Sequence, residues 1–495
     1  MLKVIVSNRL EVEGASKELV RELKDICTHI NPEYGKKRAM GHWAGDISRR
    51  IVTWRPGSAG KLLLPRGVTK RLREAAQRHG VQIQWVDKRL SVPAKWPRFL
   101  PNPESSSAEM RPYQERMEAA CLKTEQGIVR SPTGSGKTHV AFSAFSRIGQ
   151  RTLVVMRDRQ LLEQWCQKAQ HHLGMTMKGR DPQMAVVQGS RRRGVGSCLT
   201  VALQATLWAK SFPLDEFALL FGALGVDEVH GAAAVTVQTT VDVFPARYRL
   251  GFSADETRKD RKEFLIYDLF GDVIAEASRA EIEADGYTCP VIVRLVPTQF
   301  AAPWYRDAPT EERDFVRLVA EMIENTEREH LLRTVLKEIV TEQHTPAFVF
   351  THRREHAERL SVQMPAAVGV SCGLMLGGEQ SATTFAEARD ALKLGKLPLA
   401  VGSYQAIGQG IDIPGLRSGV CSTPFGSNRQ FFNQVRGRIC RPFAGKKVGY
   451  LYYLWDEEVF PFAPRNLLEW NDGSVEVFDQ ARRAWVLSDE TGRAR

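Results

Sequence analysis

The sequence has little of what marks a disulfide-bonded or zinc-binding protein. Its 8 cysteines are scattered along the chain, and no two of them form a Cys-x-x-Cys pair. Because disulfide frameworks and structural zinc sites need regularly spaced cysteines, we expect neither. The adjacent His171 and His172 do not suggest a metal site either, since neighbouring side chains on a helix face different directions. We expect both histidines at the protein surface.

Long apolar runs are also missing. No run approaches the roughly 18 residues of a membrane-spanning helix, and residues 1–9 lack the long apolar stretch and cleavage site of a signal peptide. The 43% of hydrophobic and 25% of charged residues are typical of soluble globular chains. We therefore expect an intracellular protein in the cytoplasm, with no membrane partner. Its 495 residues predict about three domains.

Positive charge is concentrated at one end of the chain. Residues 1–100 contain 21 Lys and Arg against 9 Asp and Glu, whereas the remaining residues carry no excess of either sign. Four of the 10 tryptophans share this region: Trp43, Trp54, Trp85 and Trp96. Cations release counterions from phosphates and aromatic rings stack on bases, so we expect a nucleic-acid-binding domain that uses Arg49, Arg50 and Arg55. For the tryptophans themselves, burial in the domain core is the better explanation.

The basic region is predicted to fold and not to form a tail. Hydrophobic periodicity predicts two helices and three strands: helices over 16–30 and 68–80, and strands over 50–54, 61–64 and 81–86. A segment rich in Pro and Ser, residues 97–109, is a predicted linker to the rest of the chain.

Residues 131–138, Ser-Pro-Thr-Gly-Ser-Gly-Lys-Thr, have the composition of a loop that holds a nucleoside triphosphate. Small residues let backbone amides surround the phosphates, Lys137 brings an ammonium to the β and γ oxygens, and Thr138 offers a hydroxyl to Mg²⁺. The usual pattern has glycine where this chain has Ser131, which is also small. The segments on either side predict a strand before the loop and a helix after it. The predicted nucleotide ligands are Pro132, Thr133, Gly134, Ser135, Gly136, Lys137 and Thr138.

Two carboxylates, Asp227 and Glu228, follow an apolar run over 217–226. We predict that this run is a buried parallel strand, and carboxylates at the end of such a strand face the ligand crevice. Asp227 would hold Mg²⁺, and Glu228 would orient and deprotonate the attacking water, because phosphoryl transfer to water asks for positioning, charge neutralisation and a base.

A third motif, Gln-Val-Arg-Gly-Arg-Ile-Cys-Arg over 434–441, contains three arginines. Arg438 and Arg441 are three residues apart, so on a helix they would share a face and could act with Gln434 on one site. Both are candidate arginine fingers for the charge on a transferred phosphoryl group. They lie about 300 residues from the phosphate loop, which exceeds a typical domain and implies a second domain that closes over the nucleotide. A solvated basic helix is a fair alternative for Arg436.

Together these motifs resemble those of superfamily 2 helicases of the DExH type, in the group that contains XPB and the phage protein UvsW. The resemblance covers roughly residues 108–450, and in it Arg111-Pro-Tyr-Gln114 is similar to the adenine-reading element. Further segments are similar to named motifs of the group: 153–165 to motif Ia, 201–207 to another strand-contacting motif, 251–255 to motif III, 348–352 to motif IV, 401–414 to motif V and 434–441 to motif VI.

The resemblance implies an α/β fold with two tandem RecA-like parallel-sheet motor domains after a small basic α/β accessory domain. The expected limits are 1–100 for the accessory domain, 101–290 and 291–460 for the motor domains, and 461–495 for a tail of unknown role. It also implies roles for single residues. Arg111 and Gln114 would contact adenine. Gly410 and Asp412 would contact the nucleotide and the nucleic-acid strand. Residues expected to couple hydrolysis to movement are His230, Ser253, Ala254 and Asp255, where Asp255 replaces the usual Thr and leaves the hydroxyl-mediated part of the coupling open. Expected strand contacts are Arg157, Gln204, Thr206, Thr351 and Arg353.

The function implied is ATP- and Mg²⁺-dependent translocation along DNA with 3′→5′ polarity, on forks, branched junctions or recombination intermediates. Two alternatives stay open. One is an RNA helicase, because motor domains of this kind mainly hold the sugar-phosphate backbone, and discrimination depends on contacts to the 2′-hydroxyl. The other is a non-unwinding, DNA-stimulated ATPase subunit of a remodelling or nuclease complex, although the chain has no nuclease signature of its own.

Overall fold

The structure is a computed structural model, and it describes the following residues: 1–39, 47–101, 109–132, 134–157, 159–177, 183–192, 194–229, 235–254, 261–284, 286–309, 312–376, 382–404, 413–426, 429–472, 474–479 and 482–494. By their internal contacts the residues divide into two compact units. Unit 1 comprises residues 1–132 and 136–278, and unit 2 comprises residues 279–495 together with 133–135.

The first hundred residues of unit 1 fold around a small mixed sheet. Their elements are β1 (Leu2–Val6), β2 (Arg9–Glu13), α1 (Lys17–Ile26), β3 (Thr28–Ile30), α2 (Pro32–Ala39), β4 (Arg50–Val52), β5 (Arg55–Pro56), β6 (Leu62–Pro65), α3 (Thr69–Arg78) and β7 (Ile83–Asp87). In the sheet order β5-β6-β2-β1-β7, β1 and β7 are parallel and the other neighbours antiparallel.

The predicted helices and strands of this region are confirmed, with one difference at the end of the first helix. Ser16 caps α1 by accepting a hydrogen bond from the Leu19 amide (3.2 Å), and Leu19 and Leu72 place α1 and α3 in the same buried core. Residues 28–30, predicted as the last helical turn, instead form strand β3, which pairs with β4. The β-branched Thr28 and Ile30 favour this extended conformation.

The rest of unit 1 is an α/β structure with a parallel sheet. Its elements are α4 (Pro112–Thr124), β8 (Gln126–Arg130), α5 (Lys137–Ile148), β9 (Thr152–Met156), α6 (Arg159–Leu173), β10 (Met184–Val187), β11 (Leu199–Leu203), α7 (Gln204–Leu207), α8 (Leu214–Ala218), β12 (Ala223–Asp227), α9 (Val235–Val241), β13 (Tyr248–Ser253), α10 (Phe264–Phe270) and β14 (Val273–Glu276). All neighbours in the strand order β10-β11-β9-β12-β13-β8-β14 are parallel. The carboxyl ends of these strands therefore share one edge, the edge at which such sheets bind ligands.

The apolar run over 217–226 forms two elements, so the prediction of one strand is wrong. Helix α8 extends to Ala218, and strand β12 begins at Ala223. The helix follows Pro213 and has two acidic residues in its first turn, where the helix dipole favours negative charge. Periodicity alone does not separate a short buried helix from a buried strand.

Arg66 attaches the N-terminal region to the seven-stranded sheet. Its side chain is buried, and its guanidinium donates to the backbone oxygens of Ala246 and Arg247. Burial lowers the pKa of this guanidinium. Gly67, the next residue, packs so closely against α10 that a Cβ atom would come within 2.2 Å of the Tyr267 backbone oxygen. The contact has no space for a side chain at this glycine.

Two buried carboxylates next to the sheet hold cations of the same N-terminal region. Asp268 accepts hydrogen bonds from His29 Nε2 (2.8 Å) and from Arg71 Nη2 (2.5 Å). Asp242 accepts one from Arg9 Nε (2.7 Å). Part of the basic excess of residues 1–100 therefore fixes this region to the sheet.

Unit 2 contains a second, larger sheet. Its elements are α11 (Arg279–Ala284), β15 (Val291–Thr298), α12 (Pro303–Arg306), α13 (Phe315–Glu324), α14 (Thr326–Thr341), β16 (Ala347–Thr351), α15 (Arg354–Val368), β17 (Cys372–Met375), α16 (Ala382–Lys393), β18 (Leu399–Ser403), β19 (Ser418–Cys421), α17 (Arg429–Ile439), β20 (Gly449–Asp456), α18 (Ala463–Trp470), β21 (Val475–Asp479) and β22 (Ala484–Leu487). The strand order is β17-β18-β16-β19-β20-β15-β21-β22, parallel except for the antiparallel pair β21 and β22.

The last residues of the chain extend this second sheet. Strand β21 pairs with β15, and Trp470 and Val475 are buried in the core of unit 2. Residues 461–495, for which the sequence offered no role, thus contribute strands and core side chains to the unit. Within the described residues, no helix combines the length and apolarity needed to cross a membrane.

A buried ion pair lies where β20 ends in unit 2. Arg328 Nε donates to Asp456 Oδ1 (2.7 Å), and Arg328 Nη2 to Asp456 Oδ2 (3.1 Å). The two side chains are 3% and 0% exposed. Asn325 caps α14 by accepting a hydrogen bond from the Arg328 amide (2.9 Å). This cluster fixes helix α14 to the carboxyl edge of the sheet.

Candidate nucleotide and strand sites

The loop before helix α5 has the backbone conformation of a phosphate-binding loop. Gly134 and Gly136 have φ angles of 90° and 85°, in the left-handed region that favours glycine. Helix α5 begins at Lys137, so the amides of its first turn point back to the loop, as in anion sites at helix N-termini. Ser131, which replaces the usual glycine, does not adopt a positive φ, so its side chain causes no backbone strain.

Hydrogen bonds hold Lys137 inside the loop. Its Nζ donates to the backbone oxygens of Ser131 (3.0 Å) and Pro132 (3.4 Å). The next residue, Thr138, accepts a hydrogen bond through Oγ1 from Lys168 Nζ of helix α6 (3.3 Å). Two ammonium groups thus converge on the loop, which suits a highly charged anion such as a triphosphate.

Asp227 is the last residue of β12, and one strand, β13, separates it from β8, which leads into the loop. Trp165 Nε1 donates to its Oδ2 (2.7 Å), and the Glu228 amide donates to its Oδ1 (3.0 Å). Burial and the nearby Glu228 raise the pKa of Asp227, whereas Trp165, Lys137 and Lys168 act to lower it. A carboxylate oriented in this way beside a cationic loop fits the coordination of Mg²⁺.

Glu228 follows Asp227 with a φ of 50°. This value is uncommon for a residue with a side chain, and strained backbone conformations of this kind cluster at functional sites. Both carboxylates therefore lie at the carboxyl edge of the unit 1 sheet.

The structure also brings Gln114 to the phosphate loop. The Gln114 side chain is buried, and a Cβ atom at Gly136 would lie 2.4 Å from its Nε2. Its Oε1 accepts a hydrogen bond from the Arg111 amide (3.1 Å), and Arg111 Nη1 donates to the Tyr113 hydroxyl (2.9 Å). Gln114 is therefore packed against Gly136 of the loop, and Arg111 is hydrogen-bonded to Gln114.

The segment similar to motif III is bonded to the same loop. Ser253 ends strand β13 and is fully buried, and its backbone oxygen accepts a hydrogen bond from the Ser131 amide (3.0 Å). Ala254 follows directly. A displacement of the loop would therefore be transmitted to the end of β13.

Five predicted site residues fall outside the described part of the chain. They are Thr133, His230, Asp255, Gly410 and Asp412. Their roles stay predictions.

The predicted strand contacts of unit 1 follow two adjacent strands. Arg157 comes directly after β9 and is exposed, and Gln204 and Thr206 lie in helix α7 directly after β11. Thr206 Oγ1 accepts a hydrogen bond from the Gly189 amide (2.9 Å). Because β9 and β11 are parallel neighbours, these residues share the carboxyl edge with the phosphate loop.

In unit 2, helix α17 carries the exposed Gln434 and the partly buried Arg438 but ends at Ile439. Arg441 lies beyond the helix, so the prediction that Arg438 and Arg441 share one helical face is wrong. Pro442 follows Arg441, and a residue before proline is disfavoured in the helical conformation. Burial lowers the pKa of both guanidinium groups, although each keeps some exposed surface.

Arg436, considered above as a solvated basic residue, is instead buried. It is 6% exposed, and its Nη2 donates to Glu283 Oε1 (2.8 Å). The pair holds α17 against α11, and its role within unit 2 is structural.

The predicted motif IV contacts differ in their surroundings. Thr351 is fully buried, and its Oγ1 is hydrogen-bonded with His356 Nδ1 (2.7 Å), so its side chain is directed into the unit. Arg353 is partly exposed, and its Nη2 donates to the Val316 backbone oxygen (3.1 Å). Of these two side chains, that of Arg353 reaches the surface.

The basic N-terminal region presents the predicted arginines to solvent. Arg49 and Arg50 are exposed, and Arg55 is 58% exposed with Nη2 3.6 Å from Asp242 Oδ2. The tryptophans of the region behave as core residues where they are described, and Trp43 lies outside the described part. Trp54 and Trp85 pack against the core, and Trp96 Nε1 donates to the Gln150 backbone oxygen (2.7 Å).

His172 is not at the surface, which corrects that prediction. Its Nδ1 is hydrogen-bonded to the Leu100 backbone oxygen (3.0 Å), and its ring lies 4.4 Å from that of His139. Burial lowers the pKa of His139 to about 3. The two rings pack as neutral groups between helix α5, which carries His139, and helix α6, which carries His172. His171 is exposed as expected.

Sequence reasoning missed Trp165 and Lys168, which contact Asp227 and Thr138. Both belong to α6, where an aromatic residue at helical spacing is normally a core residue. The one usable signal is that a buried indole N–H needs an acceptor. No pattern in the sequence identified Lys168.

Comparisons with known proteins agree with this geometry. A family model described as "Type III restriction enzyme, res subunit" matches residues 107–257. A "Putative DNA 3'-5' helicase Rad25" of Halobacterium salinarum is 27% identical over 339 residues, 68% of this chain and 52% of that protein. A "Probable helicase D10" of Escherichia phage T5 is 24% identical over 396 residues, 75% of this chain and 78% of that protein. The chain therefore spans about half the length of the archaeal relative.

Among solved structures, the ATP-dependent Type ISP restriction-modification enzyme LlaBIII bound to DNA is similar in fold. The TM-score is 0.52 at 14% identity, over 82% of this chain and 32% of that one. The chain has two largely parallel sheets, a phosphate-binding loop and motifs in a fixed order. These features are those of tandem RecA-like domains. Over the residues that carry the ordered motifs, this chain is therefore similar to proteins named as helicases and, at residues 107–257, to the restriction-enzyme family model.

Proposed function

We propose that this protein hydrolyses ATP to translocate along DNA with 3′→5′ polarity and to unwind or remodel it. The observation that carries the proposal is the arrangement of Lys137, Asp227 and Glu228 at one edge of the unit 1 sheet, with candidate strand contacts along the same edge. The printed names of the archaeal and phage relatives, a DNA 3'-5' helicase and a helicase, support the same activity.

The residues around the loop fit ATP with Mg²⁺. ATP would supply the phosphoanhydride bond to be hydrolysed, and Mg²⁺ would supply a divalent positive charge. In the proposal, Lys137 and the loop amides hold phosphates, and Thr138 and Asp227 hold the metal ion. Trp165 fixes the orientation of Asp227. Glu228 orients the attacking water and accepts its proton.

Unit 2 supplies further groups in the proposal. Arg438 and Arg441 offset negative charge on the transferred phosphoryl group, and Gln434 assists them. The bond between the Ser131 amide and the Ser253 backbone oxygen links the loop to motif III. Through this link, a change at the phosphates reaches the edge that carries the strand contacts.

The proposed substrate is single-stranded or branched DNA, such as a fork or a recombination intermediate. Arg157, Gln204, Thr206 and Arg353 are proposed to hold the strand. The exposed arginines of the N-terminal region, among them Arg49, would add contacts to phosphates that do not depend on sequence.

The first test measures ATP hydrolysis by the purified chain alone and with matched single-stranded DNA, branched DNA and RNA. We expect stimulation by DNA, stronger than by RNA of the same sequence. Equal rates with and without nucleic acid would refute the motor function, and stronger stimulation by RNA would favour an RNA helicase. A strand-displacement assay with and without a preformed branch then separates unwinding from remodelling.

The second test replaces the proposed base. Glu228→Gln should abolish hydrolysis while binding of a fluorescent ATP analogue stays as in the wild type. The control Glu74→Gln alters an exposed carboxylate on α3 and should leave both measurements unchanged. Retained hydrolysis by Glu228→Gln would remove Glu228 from this role.

A further inference from the structure

Unit 2 contains an aromatic pocket at the carboxyl edge of its sheet. The cavity has a volume of about 500 Å³. Its aromatic walls are formed by Tyr305, Phe315, Tyr453, Phe460 and Phe462. Phe462 is 71% exposed, which is unusual for a phenyl ring that lines a cavity. The pocket therefore offers an open, flat apolar surface to a ligand.

The charged side chains that line the pocket are both arginines. Arg306 is paired with Asp307 (2.8 Å) and Glu458 (2.7 Å) outside the lining. Arg313 donates to the backbone oxygens of Arg306 (2.9 Å) and Ala308 (3.1 Å), and its guanidinium lies 5.5 Å from the Tyr305 ring centre. Among the described residues no ion pair joins Arg313 to a carboxylate, so its side chain can also contact an anion at the pocket mouth.

The pocket adjoins the motif IV segment. Phe315 is the first residue of helix α13, and its ring lies 5.4 Å from the ring of His352, which follows strand β16. The next residue of α13, Val316, accepts the hydrogen bond from Arg353 through its backbone oxygen. A strand held by Arg353 would pass close to the aromatic walls.

A second cavity, between the N-terminal region and the sheet of unit 1, has a volume of about 590 Å³ but a different chemistry. Its lining includes Asp87, Glu125 and Asp272, and these carboxylates pair with lining cations such as Arg89 and Lys70. Part of its positive charge is therefore neutralised within the lining. Among the described residues that line the unit 2 pocket, five are aromatic and none is acidic, so this pocket is the better match for a polyanion that carries flat rings.

We propose that the unit 2 pocket binds an unstacked base of single-stranded DNA, with Phe462 as the stacking surface and Arg313 beside the adjoining phosphate. The proposal rests on the function proposed above and assigns part of the strand path to this pocket. Every base has a π face, so stacking here would tolerate all sequences. The ring cluster and the Arg313 guanidinium provide the two interactions that a nucleotide of a single strand needs.

The test is a double-mutant cycle on the full chain at one fixed salt concentration. Wild type and Phe462→Ala are titrated with a fluorescent single-stranded oligonucleotide and with the same backbone made of abasic residues. We expect Phe462→Ala to bind the normal oligonucleotide about tenfold more weakly, a usual effect for one base–aromatic stack. The affinity ratio between normal and abasic oligonucleotides should shrink by the same factor.

Three further variants complete the test. Phe478→Ala removes a phenyl ring that is 43% exposed on β21, away from the pocket lining, and should keep the wild-type ratio. Arg313→Gln should weaken both oligonucleotides equally and flatten the salt dependence of binding, as expected for a phosphate contact. Phe462→Trp should restore the affinity that Phe462→Ala loses.

An unchanged ratio in Phe462→Ala would overturn the proposal and would point to a partner protein as the occupant of the pocket. This result differs from failure of the function proposed above, in which the wild type itself shows no DNA-stimulated hydrolysis. Because Phe462 is largely exposed, its replacement does not endanger the fold of unit 2.

Discussion

The indole N–H of Trp165 donates a hydrogen bond to Oδ2 of Asp227 over 2.7 Å. The ring itself is buried against Phe142 at a centroid distance of 4.9 Å, so the donor is fixed in place. Helix α6 thus supplies a hydrogen-bond donor to the proposed metal ligand. The other carboxylate oxygen, Oδ1, accepts a hydrogen bond from the Glu228 amide. Trp165 is thus a positioning residue for Asp227.

Trp165→Phe should keep the packing and remove this bond. Partners that orient a metal ligand typically account for 10- to 100-fold in metal affinity or activity. We therefore expect the Mg²⁺ concentration for half-maximal ATP hydrolysis to rise by about tenfold. Trp96→Phe, which removes an indole bond to the Gln150 backbone oxygen, is the matched control and should leave the Mg²⁺ dependence unchanged. An unaltered Mg²⁺ titration in Trp165→Phe would show that Asp227 does not need this partner.

Gly136→Ala should abolish nucleotide binding. The residue combines a φ of 85° with a Cβ position 2.4 Å from Gln114 Nε2, so a methyl group would displace Gln114 and distort the loop. The effect can be measured by titration with a fluorescent ATP analogue. Gly174→Ala has a similar φ of 62° but open space around the new Cβ, and it should bind the analogue normally. Equal affinity in the two variants would contradict the role of the loop.

Asp268→Asn should destabilise the chain by about 3 kcal/mol at pH 7, because His29 and Arg71 would lose a buried anionic partner. Urea unfolding measures the difference. Asp390→Asn, at a surface carboxylate paired with Arg389, is the control and should barely shift the urea midpoint. A neutral result for Asp268→Asn would mean that the N-terminal region is held by its other contacts alone.

The effect of Asp268 should depend on pH in one direction. Burial acts to raise its pKa, but the hydrogen bonds and charges of His29, Arg71 and Thr53 hold the pKa below its usual 3.8. A depressed carboxyl pKa stabilises the folded state above the unfolded pKa and loses this effect as the pH falls through the folded value. The gap in stability between wild type and Asp268→Asn should thus be constant above about pH 4 and narrow below it. A gap that widens in acid would reverse the sign and refute this assignment.

Arg328→Met should destabilise unit 2 by about 3 to 5 kcal/mol, since it leaves the Asp456 carboxylate buried without its cation. The double variant Arg328→Met/Asp456→Leu removes both charges and should recover most of the loss. Urea unfolding of the wild type, both single variants and the double variant gives the coupling between the two residues. Additive losses would show that the pair is not coupled.

The sequence was sufficient for features that depend on local spacing. The strand, loop and helix around Lys137 and the strand end at Asp227 follow from composition and periodicity, and β8, α5 and β12 confirm them. Local patterns were less informative where two elements have the same apolar character. The run over 217–226 contains both a helix and a strand. Helix α17 ends before Arg441, next to Pro442, and the comparison of motifs took no account of this proline.

Other features depend on contacts between distant residues and had no signal in the sequence. The bonds from Trp165 to Asp227 and from Lys168 to Thr138 join α6 to the phosphate loop across 62 and 30 residues. The excess of basic residues before residue 100 indicated nucleic acid, yet Arg66 and Arg71 serve to hold the region to the sheet. Composition does not separate a cation that binds a ligand from one that binds its own fold.

The burial of Arg66 has a consequence for engineering. The Arg66 guanidinium donates to the backbone oxygens of Ala246 and Arg247. The next residue, Gly67, has no space for a side chain. A chimera whose replacement for residues 1–100 lacked this arginine would leave those two carbonyl oxygens without their partner. An exchange of the N-terminal region therefore has to keep the arginine and the glycine after it, or to replace the sheet beneath them as well.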